Sequence, residues 1–146
     1  MELCISGKDL AGKYLIFHKM NNEIKARLRS FVFAGKGIVH VIRTQGNARI
    51  HAAATVAVIL AGFLCSVSLT EWCLLLMSIG MVWTAEIFNT ALERLVDLVS
   101  PEYHPLAKYA KDCAAGAVLA ASLSSLLIAA IIFLPKVHFL LNTLPH

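Results

Sequence analysis

The chain has 146 residues, of which 58% are hydrophobic and 15% charged, and its mean hydropathy is +0.72. Such a composition excludes an ordinary soluble domain; it leaves room for three membrane spans of about 20 residues each, but not for a separate soluble nucleotide-binding domain. The formal net charge of +4 is concentrated before His51, where nine of the thirteen Lys and Arg lie, and this predicts contact with anionic lipid headgroups rather than with nucleic acid.

The first part of the chain predicts an arm followed by an amphipathic helix. Residues 1–22 form the arm, for which only a short helical segment is expected. From Ile24 to Ile42, apolar residues recur at intervals that place them on one side of a helix. The basic residues cluster on the other side: Lys25, Arg29, Lys36 and Arg43. We therefore predict an interfacial helix over about residues 23–45, with a break at Gln45-Gly46-Asn47 before the first span.

Three apolar stretches follow, each long enough to cross a bilayer. The predicted spans cover about residues 50–70, 72–98 and 110–134. Trp72 is placed as an interfacial anchor, and Pro101 and Pro105 mark the loop between the second and third spans. Lys and Arg flank this second loop but not the first, so we expect the N-terminal arm and the second loop in the cytoplasm and the C-terminus outside.

Polar residues interrupt the second span at a helical spacing. These residues are Glu86, Asn89, Glu93 and Asp97. At about 100° per residue they form one narrow stripe on a helix. Charged groups inside a bilayer cost at least a few kcal/mol each, so the stripe predicts a functional site facing a cavity or partner helices. Asp97 and Glu93 could instead lie in the headgroup zone and Asn89 could join helices, but Glu86 is too deep to explain easily in this way.

Three classes of function fit these residues: a membrane enzyme, an ion or proton carrier that uses the acidic stripe, and a non-catalytic membrane assembly protein. No phosphate-binding loop G-x-x-x-x-G-K-[ST] occurs, and His51 and His104 have no partners at metal-ligand spacing. A carrier usually needs polar groups that continue toward the far side of the membrane. Here the stripe stops near Glu86, which favours chemistry at the membrane surface.

The segment Glu86-Ile-Phe-Asn-Thr-Ala-Leu-Glu-Arg-Leu-Val-Asp97 resembles the signature E-x-x-N-[ST]-A-[IL]-E-x-x-x-D of the prokaryotic diacylglycerol kinase and undecaprenol kinase family. The likeness extends to Pro101-Glu-Tyr-His-Pro105, Ala110-Lys-Asp112 and Asn47-Ala-Arg-Ile-His51. It implies an all-α integral membrane fold for a single lipid kinase domain over residues 23–146, assembled as a homotrimeric helical bundle in the bacterial inner membrane. The implied reaction is phosphorylation of a membrane lipid alcohol with magnesium and ATP at the cytoplasmic face.

The resemblance also implies roles for individual residues. Glu86 would be the general base that takes the proton of the lipid hydroxyl, and Asn89 would help to hold that site. Glu93 would bind the metal ion. The nucleotide would be met by Glu93 and by loop residues: Glu102, Tyr103, His104, Lys111 and Asp112. Such roles are sensible because phosphoryl transfer depends mainly on positioning and charge stabilisation.

Gln45 departs from the family pattern, which usually has a second metal-binding carboxylate at this position. An amide oxygen is a weaker ligand for a hard divalent cation than a carboxylate. Weaker metal affinity, a compensating ligand and an altered substrate preference are therefore all open. The Asn47–His51 segment and the sequence Pro-Glu-Tyr-His-Pro-Leu-Ala-Lys resemble the undecaprenol kinase branch of the family. They favour undecaprenol over diacylglycerol as the substrate, although both lipids remain candidates.

Overall fold

The fold is described by a computed structural model, which covers the backbone of residues 7–143 and the side chains of residues 23–140 and 142. Over these residues the chain forms four α-helices. Their bounds are α1 Gly7–Thr44, α2 Gly46–Leu64, α3 Leu69–Val99 and α4 Pro105–Thr143. In this described part, α2, α3 and most of α4 are long and apolar enough to span a membrane. The predicted all-helical class with three spans and an amphipathic first helix is confirmed.

Helix α1 is longer than the interfacial helix that the sequence predicts. It begins at Gly7 and therefore includes most of the predicted arm, of which residues 1–6 lie outside the described part. It also continues through Gly35-Lys36-Gly37, since two glycines weaken a helix without necessarily ending it. Gln45 alone separates α1 from α2, with an extended backbone (φ −104°, ψ 125°).

The turn between α2 and α3 lies earlier in the chain than predicted, because a capping box sets the start of α3. The Ser68 Oγ accepts a hydrogen bond from the Glu71 backbone N–H at 3.3 Å, and the Glu71 carboxylate accepts one from the Ser68 N–H at 2.6 Å. These two bonds satisfy donors that would otherwise be unpaired at a helix N-terminus. Helix α3 consequently begins at Leu69, three residues before Trp72.

Helix α4 extends beyond the predicted third span at both ends. It begins at Pro105, which suits the first turn of a helix because the missing N–H would have no partner there. It then continues through Pro135 to Thr143. Lys136 Nζ lies 3.1 Å from a Glu71 carboxylate oxygen, so the segment after Pro135 is attached to the start of α3.

The chain divides into two compact units, residues 1–40 and 41–146. In the first unit, the described side chains from residue 23 onwards are exposed. In the second, α3 packs mainly against α4 and also contacts α2. Leu75, Val67 and Ile132 form a buried cluster between these helices, and Ser125 Oγ donates to Ser78 Oγ at 3.3 Å across the α3–α4 contact. This packing fixes the faces of α2 and α4 that meet the polar stripe of α3.

Candidate functional site

The four polar residues of α3 form a gradient from buried to exposed along one side of the helix. Glu86 is 1% exposed and Asn89 is 8% exposed, Glu93 is half-buried, and Asp97 is exposed. Glu86 precedes the last residue of α3, Val99, by thirteen positions, which corresponds to about 20 Å along the helix axis. A carboxyl group at this depth is removed from water while its neighbours approach the helix end.

A cavity of about 270 Å³ surrounds Glu86 and Asn89 and is lined by α2, α3 and α4. Its polar lining comes from six side chains: Asn47 and His51 of α2, Glu86, Asn89 and Glu93 of α3, and Ser122 of α4. Its apolar lining comes from Ile50, Ala115, Val118 and Leu119. A cavity with both polar and apolar lining suits a molecule with one polar end and a hydrocarbon body.

Several buried polar atoms in this cavity have no hydrogen-bond partner among the described residues. They are His51 Nε2, Glu86 Oε2, Asn89 Oδ1 and Ser122 Oγ. A buried polar atom without a partner costs about 1–3 kcal/mol, and such atoms are typically satisfied by a ligand, water or ion. Four such atoms in one cavity therefore make it the candidate binding site.

Glu93 is held by two amide side chains. Asn89 Nδ2 donates to Glu93 Oε1 at 3.1 Å, and Gln45 Nε2 approaches Glu93 Oε2 at 3.4 Å. Gln45 is the N-cap residue of α2, but its side chain makes no capping bond and is free to reach Glu93. The structure thus brings together two residues that are 48 positions apart in the chain.

These residues fit a magnesium ion only as a partial ligand set. The described part of the chain contains no group of three or more His, Cys, Asp or Glu side chains arranged to hold a metal. Magnesium, however, commonly uses one or two carboxylates together with phosphate oxygens and water. Glu93 supplies one carboxylate and Asn89 Oδ1 an unpartnered oxygen, while a half-turn of the Gln45 amide would present its oxygen in place of its N–H.

The loop residues form a second cavity of about 430 Å³ at the end of α3. All five predicted nucleotide contacts of the loop region line it: Glu102, Tyr103, His104, Lys111 and Asp112. Lys111 Nζ lies 2.7 Å from Asp97 Oδ1, and Lys108 Nζ lies 2.5 Å from Asp112 Oδ2. Because these pairs are substantially exposed, they are weak, and an incoming polyphosphate can replace the carboxylate partner of either lysine at little cost.

His104 has a structural contact in this loop. Its Nδ1 accepts a hydrogen bond from the Leu106 backbone N–H at 3.2 Å, in the first turn of α4. The bond satisfies one of the unpaired donors at the helix start. The two cavities lie along the same side of α3, since Glu93 lines the first and Asp97, one helical turn further on, lines the second.

Comparison with known proteins agrees with this arrangement of acidic stripe and polar loop. Residues 32–133 match the prokaryotic diacylglycerol kinase family. The chain belongs to this family. It is 47% identical to an undecaprenol kinase of Bacillus subtilis over 115 residues, which cover 79% of this chain and 94% of that protein. It is 43% identical to a diacylglycerol kinase of Synechocystis over 74% of this chain and 62% of that protein.

A third relative, the diacylglycerol kinase of Escherichia coli K12, is 46% identical over 48 residues, or 33% of this chain and 39% of that protein. The match thus covers less than two thirds of either diacylglycerol kinase but nearly all of the undecaprenol kinase. Family membership and three apolar helices make the chain a bacterial membrane lipid kinase. The kinase signature lies on α3, and its buried end forms the floor of the first cavity.

Three polar residues of the first cavity, Asn47, His51 and Ser122, are not among the sequence-predicted site residues of this lipid kinase. Ser122 lies in a run of small residues, where nothing distinguishes it before the packing of α4 on α3 is known. His51 has no metal-ligand partner in sequence, which favours a solvated or hydrogen-bonded histidine, but it lies 4.0 Å from Glu86. Its position at the end of the family segment Asn47–His51 is the one sequence signal that could have indicated it.

Proposed function

We propose that the chain transfers the terminal phosphate of ATP to the hydroxyl group of undecaprenol at the cytoplasmic face of the membrane. The observation that carries the choice of lipid is the coverage of the comparisons: identity to the Bacillus subtilis undecaprenol kinase extends over 94% of that protein. The mixed polar and apolar lining of the first cavity supports a lipid alcohol as the acceptor, and it fits the single free hydroxyl of undecaprenol as well as that of diacylglycerol.

In this reaction the lipid hydroxyl enters the first cavity and Glu86 accepts its proton. The hydroxyl oxygen forms a bond to the γ-phosphorus of ATP as the bond from phosphorus to the leaving ADP oxygen breaks. Glu86 can act on a lipid because its carboxylate lies inside the bilayer, where the alcohol is. Asn89, between Glu86 and Glu93, holds the Glu93 carboxylate in place through its 3.1 Å hydrogen bond.

The phosphate groups extend toward the loop cavity, where Lys111 and Lys108 neutralise their charge. Asp112 and Asp97, which pair with these lysines, position them for this exchange. Glu93 would hold magnesium together with amide oxygens, and the bound ion would neutralise phosphate charge during transfer. We also propose that the chain assembles as a homotrimer and that its N-terminus lies in the cytoplasm.

The deciding experiment is a side-by-side phosphorylation assay of the purified protein in lipid vesicles, with undecaprenol and diacylglycerol as acceptors and ATP and magnesium supplied. We expect a kcat/KM for undecaprenol at least about tenfold higher than for diacylglycerol, a difference of about 1.4 kcal/mol in transition-state binding. A higher kcat/KM for diacylglycerol than for undecaprenol would indicate instead that the chain acts as a diacylglycerol kinase. No transfer to either alcohol by folded protein would overturn the proposal, and proton or cation flux in the same vesicles would then favour a carrier.

A further inference from the structure

His51 and Glu86 form a buried pair that the reaction described above does not yet use. His51 Nε2 lies 4.0 Å from Glu86 Oε2, and their side chains are 17% and 2% exposed. Neither of these two atoms has a hydrogen-bond partner among the described residues. A shift of about 1 Å in either side chain would bring the two atoms within hydrogen-bond distance.

The position of His51 is set by contacts between α2 and α3. Thr55 Oγ1 donates a hydrogen bond to the His51 carbonyl oxygen at 2.7 Å, and the same Oγ1 accepts one from Trp83 Nε1 at 3.1 Å. Trp83 precedes Glu86 by three residues on α3. The turn of α2 that carries His51 is therefore attached to the turn of α3 that carries Glu86.

The charged residues around Glu86 make His51 its one possible cationic partner in the first cavity. Among the residues that line the first cavity, Glu93 carries the second negative charge, and the α4 wall is formed by alanine, valine, leucine and serine. His51 is the one member of this lining that can carry a positive charge. A carboxylate inside a membrane needs such a partner, because an isolated charge there is strongly destabilised.

We propose that His51 is a positioning residue that orients the Glu86 carboxylate and takes up the proton that Glu86 removes from the lipid alcohol. This inference rests on the proposed kinase reaction at the same site. The alcohol proton moves to Glu86 Oε2 as the oxygen–phosphorus bond forms and ADP leaves, and then moves to the neutral His51 Nε2. Between turnovers the imidazolium lies beside the restored carboxylate, which its Nε2–H stabilises and orients. His51 releases this proton to water when the next alcohol binds, so that it can accept the next proton from Glu86.

The first test measures the pair directly, without turnover. Protein selectively labelled with ¹⁵N in its histidine rings is placed in lipid nanodiscs, and the His51 signals are identified by their loss in His51→Gln. We expect Glu86→Gln to shift the His51 ring nitrogens by several parts per million, because their protonation or hydrogen bonding changes. Glu71→Gln, at the opposite end of α3, is the matched control and should leave them in place. Identical His51 signals in the parent protein, Glu86→Gln and Glu71→Gln would overturn the proposal.

The second test separates proton uptake from packing. His51→Gln keeps an N–H near the position of Nε2 but cannot accept a proton, so kcat should fall by about 10²-fold while the KM values for ATP and lipid change less than about twofold. His138→Gln makes the same substitution at an exposed position outside both cavities and should retain kcat. Trp83→Phe removes the bond to Thr55 but keeps both members of the pair and an aromatic ring at position 83. It should lower thermal stability, and it should lower kcat by less than His51→Gln does.

The two tests distinguish this inference from the proposed function. If the histidine signals respond to Glu86→Gln but the parent protein phosphorylates neither alcohol, the pair exists and the proposed kinase reaction is wrong. If the parent protein is active and His51→Gln retains its kcat, the reaction stands and the role of His51 is wrong. Equal losses of kcat in His51→Gln and Trp83→Phe would assign His51 to packing alone.

Discussion

Glu86 lies at a depth that disfavours charge, whereas its proposed role as a base requires a charged carboxylate. Its side chain is 2% exposed, yet its position on α3 is next to the cavity in which a lipid hydroxyl would have to lie. Because burial of an unused carboxyl group would be costly, its presence indicates a functional site at that point in the membrane, and proton transfer is the role that we propose for it. The same reasoning does not apply to Asp97, whose exposed carboxylate is compatible with an ordinary surface ion pair.

Replacing Glu86 by Gln tests this role, because the amide has almost the same shape but is a poor base. We expect kcat for lipid phosphorylation to fall by about 10²-fold or more, with helicity and thermal unfolding close to those of the parent protein. Glu71→Gln provides the control, since Glu71 lies in the capping box far from both cavities and its loss should reduce stability rather than turnover. Full activity in Glu86→Gln would remove Glu86 from the chemistry.

Gln45 poses a different question, because its amide lies 3.4 Å from Glu93 where a second carboxylate would be usual for the family. In Gln45→Glu two carboxylates would meet at this distance, so they would repel one another without a metal and bind a divalent cation better with one. We expect half-saturating magnesium for activity to fall by about threefold to tenfold, equivalent to about 1 kcal/mol. Thermal stability should fall in the absence of magnesium and rise when it is added.

The control for this prediction is Glu93→Gln, which leaves only amides at the site and should be nearly inactive at any accessible magnesium concentration. Titrating magnesium at fixed ATP in the three proteins separates the possibilities. An unchanged requirement in Gln45→Glu, together with an unchanged melting temperature, would mean that position 45 does not face the metal. The amide would then serve only to orient Glu93.

At the scale of the helices, the periodicity of the sequence predicted which residues share a helix face better than it predicted where each helix begins and ends. The spacing of Glu86, Asn89 and Glu93 predicted a single stripe, and these three residues do line one cavity. The start of α3 depended on reciprocal bonds between Ser68 and Glu71, which a hydrophobicity pattern does not reveal. Helix α4 continues through Pro135 even though a proline removes one backbone hydrogen bond, because neighbouring contacts can compensate for this loss in a membrane helix.

The contact between α2 and α3 near their shared turn depends on one glycine. A Cβ added at Gly62 would lie 2.6 Å from an atom of the Trp72 ring, whereas one added at Gly80 would meet nothing within 4 Å. We expect Gly62→Ala to destabilise the protein by about 1–3 kcal/mol through overpacking. Gly80→Ala should be neutral or stabilise by up to about 1 kcal/mol, because alanine favours the helix. Thermal unfolding in the same detergent compares the two, and equal melting temperatures would show that Trp72 can move aside.

At the scale of the whole molecule, the sequence could not predict the contacts of the site that join segments distant in the chain. Gln45 and Glu93 come together because the break before α2 lies beside the C-terminal part of α3, and Ser122 reaches the first cavity through the packing of α4. Family resemblance could indicate Gln45 as a metal position, but neither periodicity nor composition could predict its hydrogen bond to Glu93. Local spacing determines one face of one helix, whereas a site built from three helices depends on their packing.

The charge of the chain predicts its orientation in the membrane, and this orientation decides whether the proposed site meets the ATP of the cytoplasm. Lys108 and Lys111 lie in the first two turns of α4 and line the second cavity, and basic residues at the end of a membrane span favour the cytoplasmic side. ATP is available there, so a loop facing outward would be incompatible with the proposed reaction. We therefore expect the turn between α2 and α3 to face the outside of the cell.

Cysteine labelling tests this orientation in a background that lacks the four native cysteines. Thr70→Cys places a thiol at the exposed start of α3, and Glu102→Cys places one in the loop before α4. A membrane-impermeant maleimide added to intact spheroplasts should label Thr70→Cys and leave Glu102→Cys unlabelled until the membrane is permeabilised. The opposite pattern would place the loop cavity and its lysines outside the cell, away from ATP, and the lipid kinase reaction could not then occur at this site in the cell.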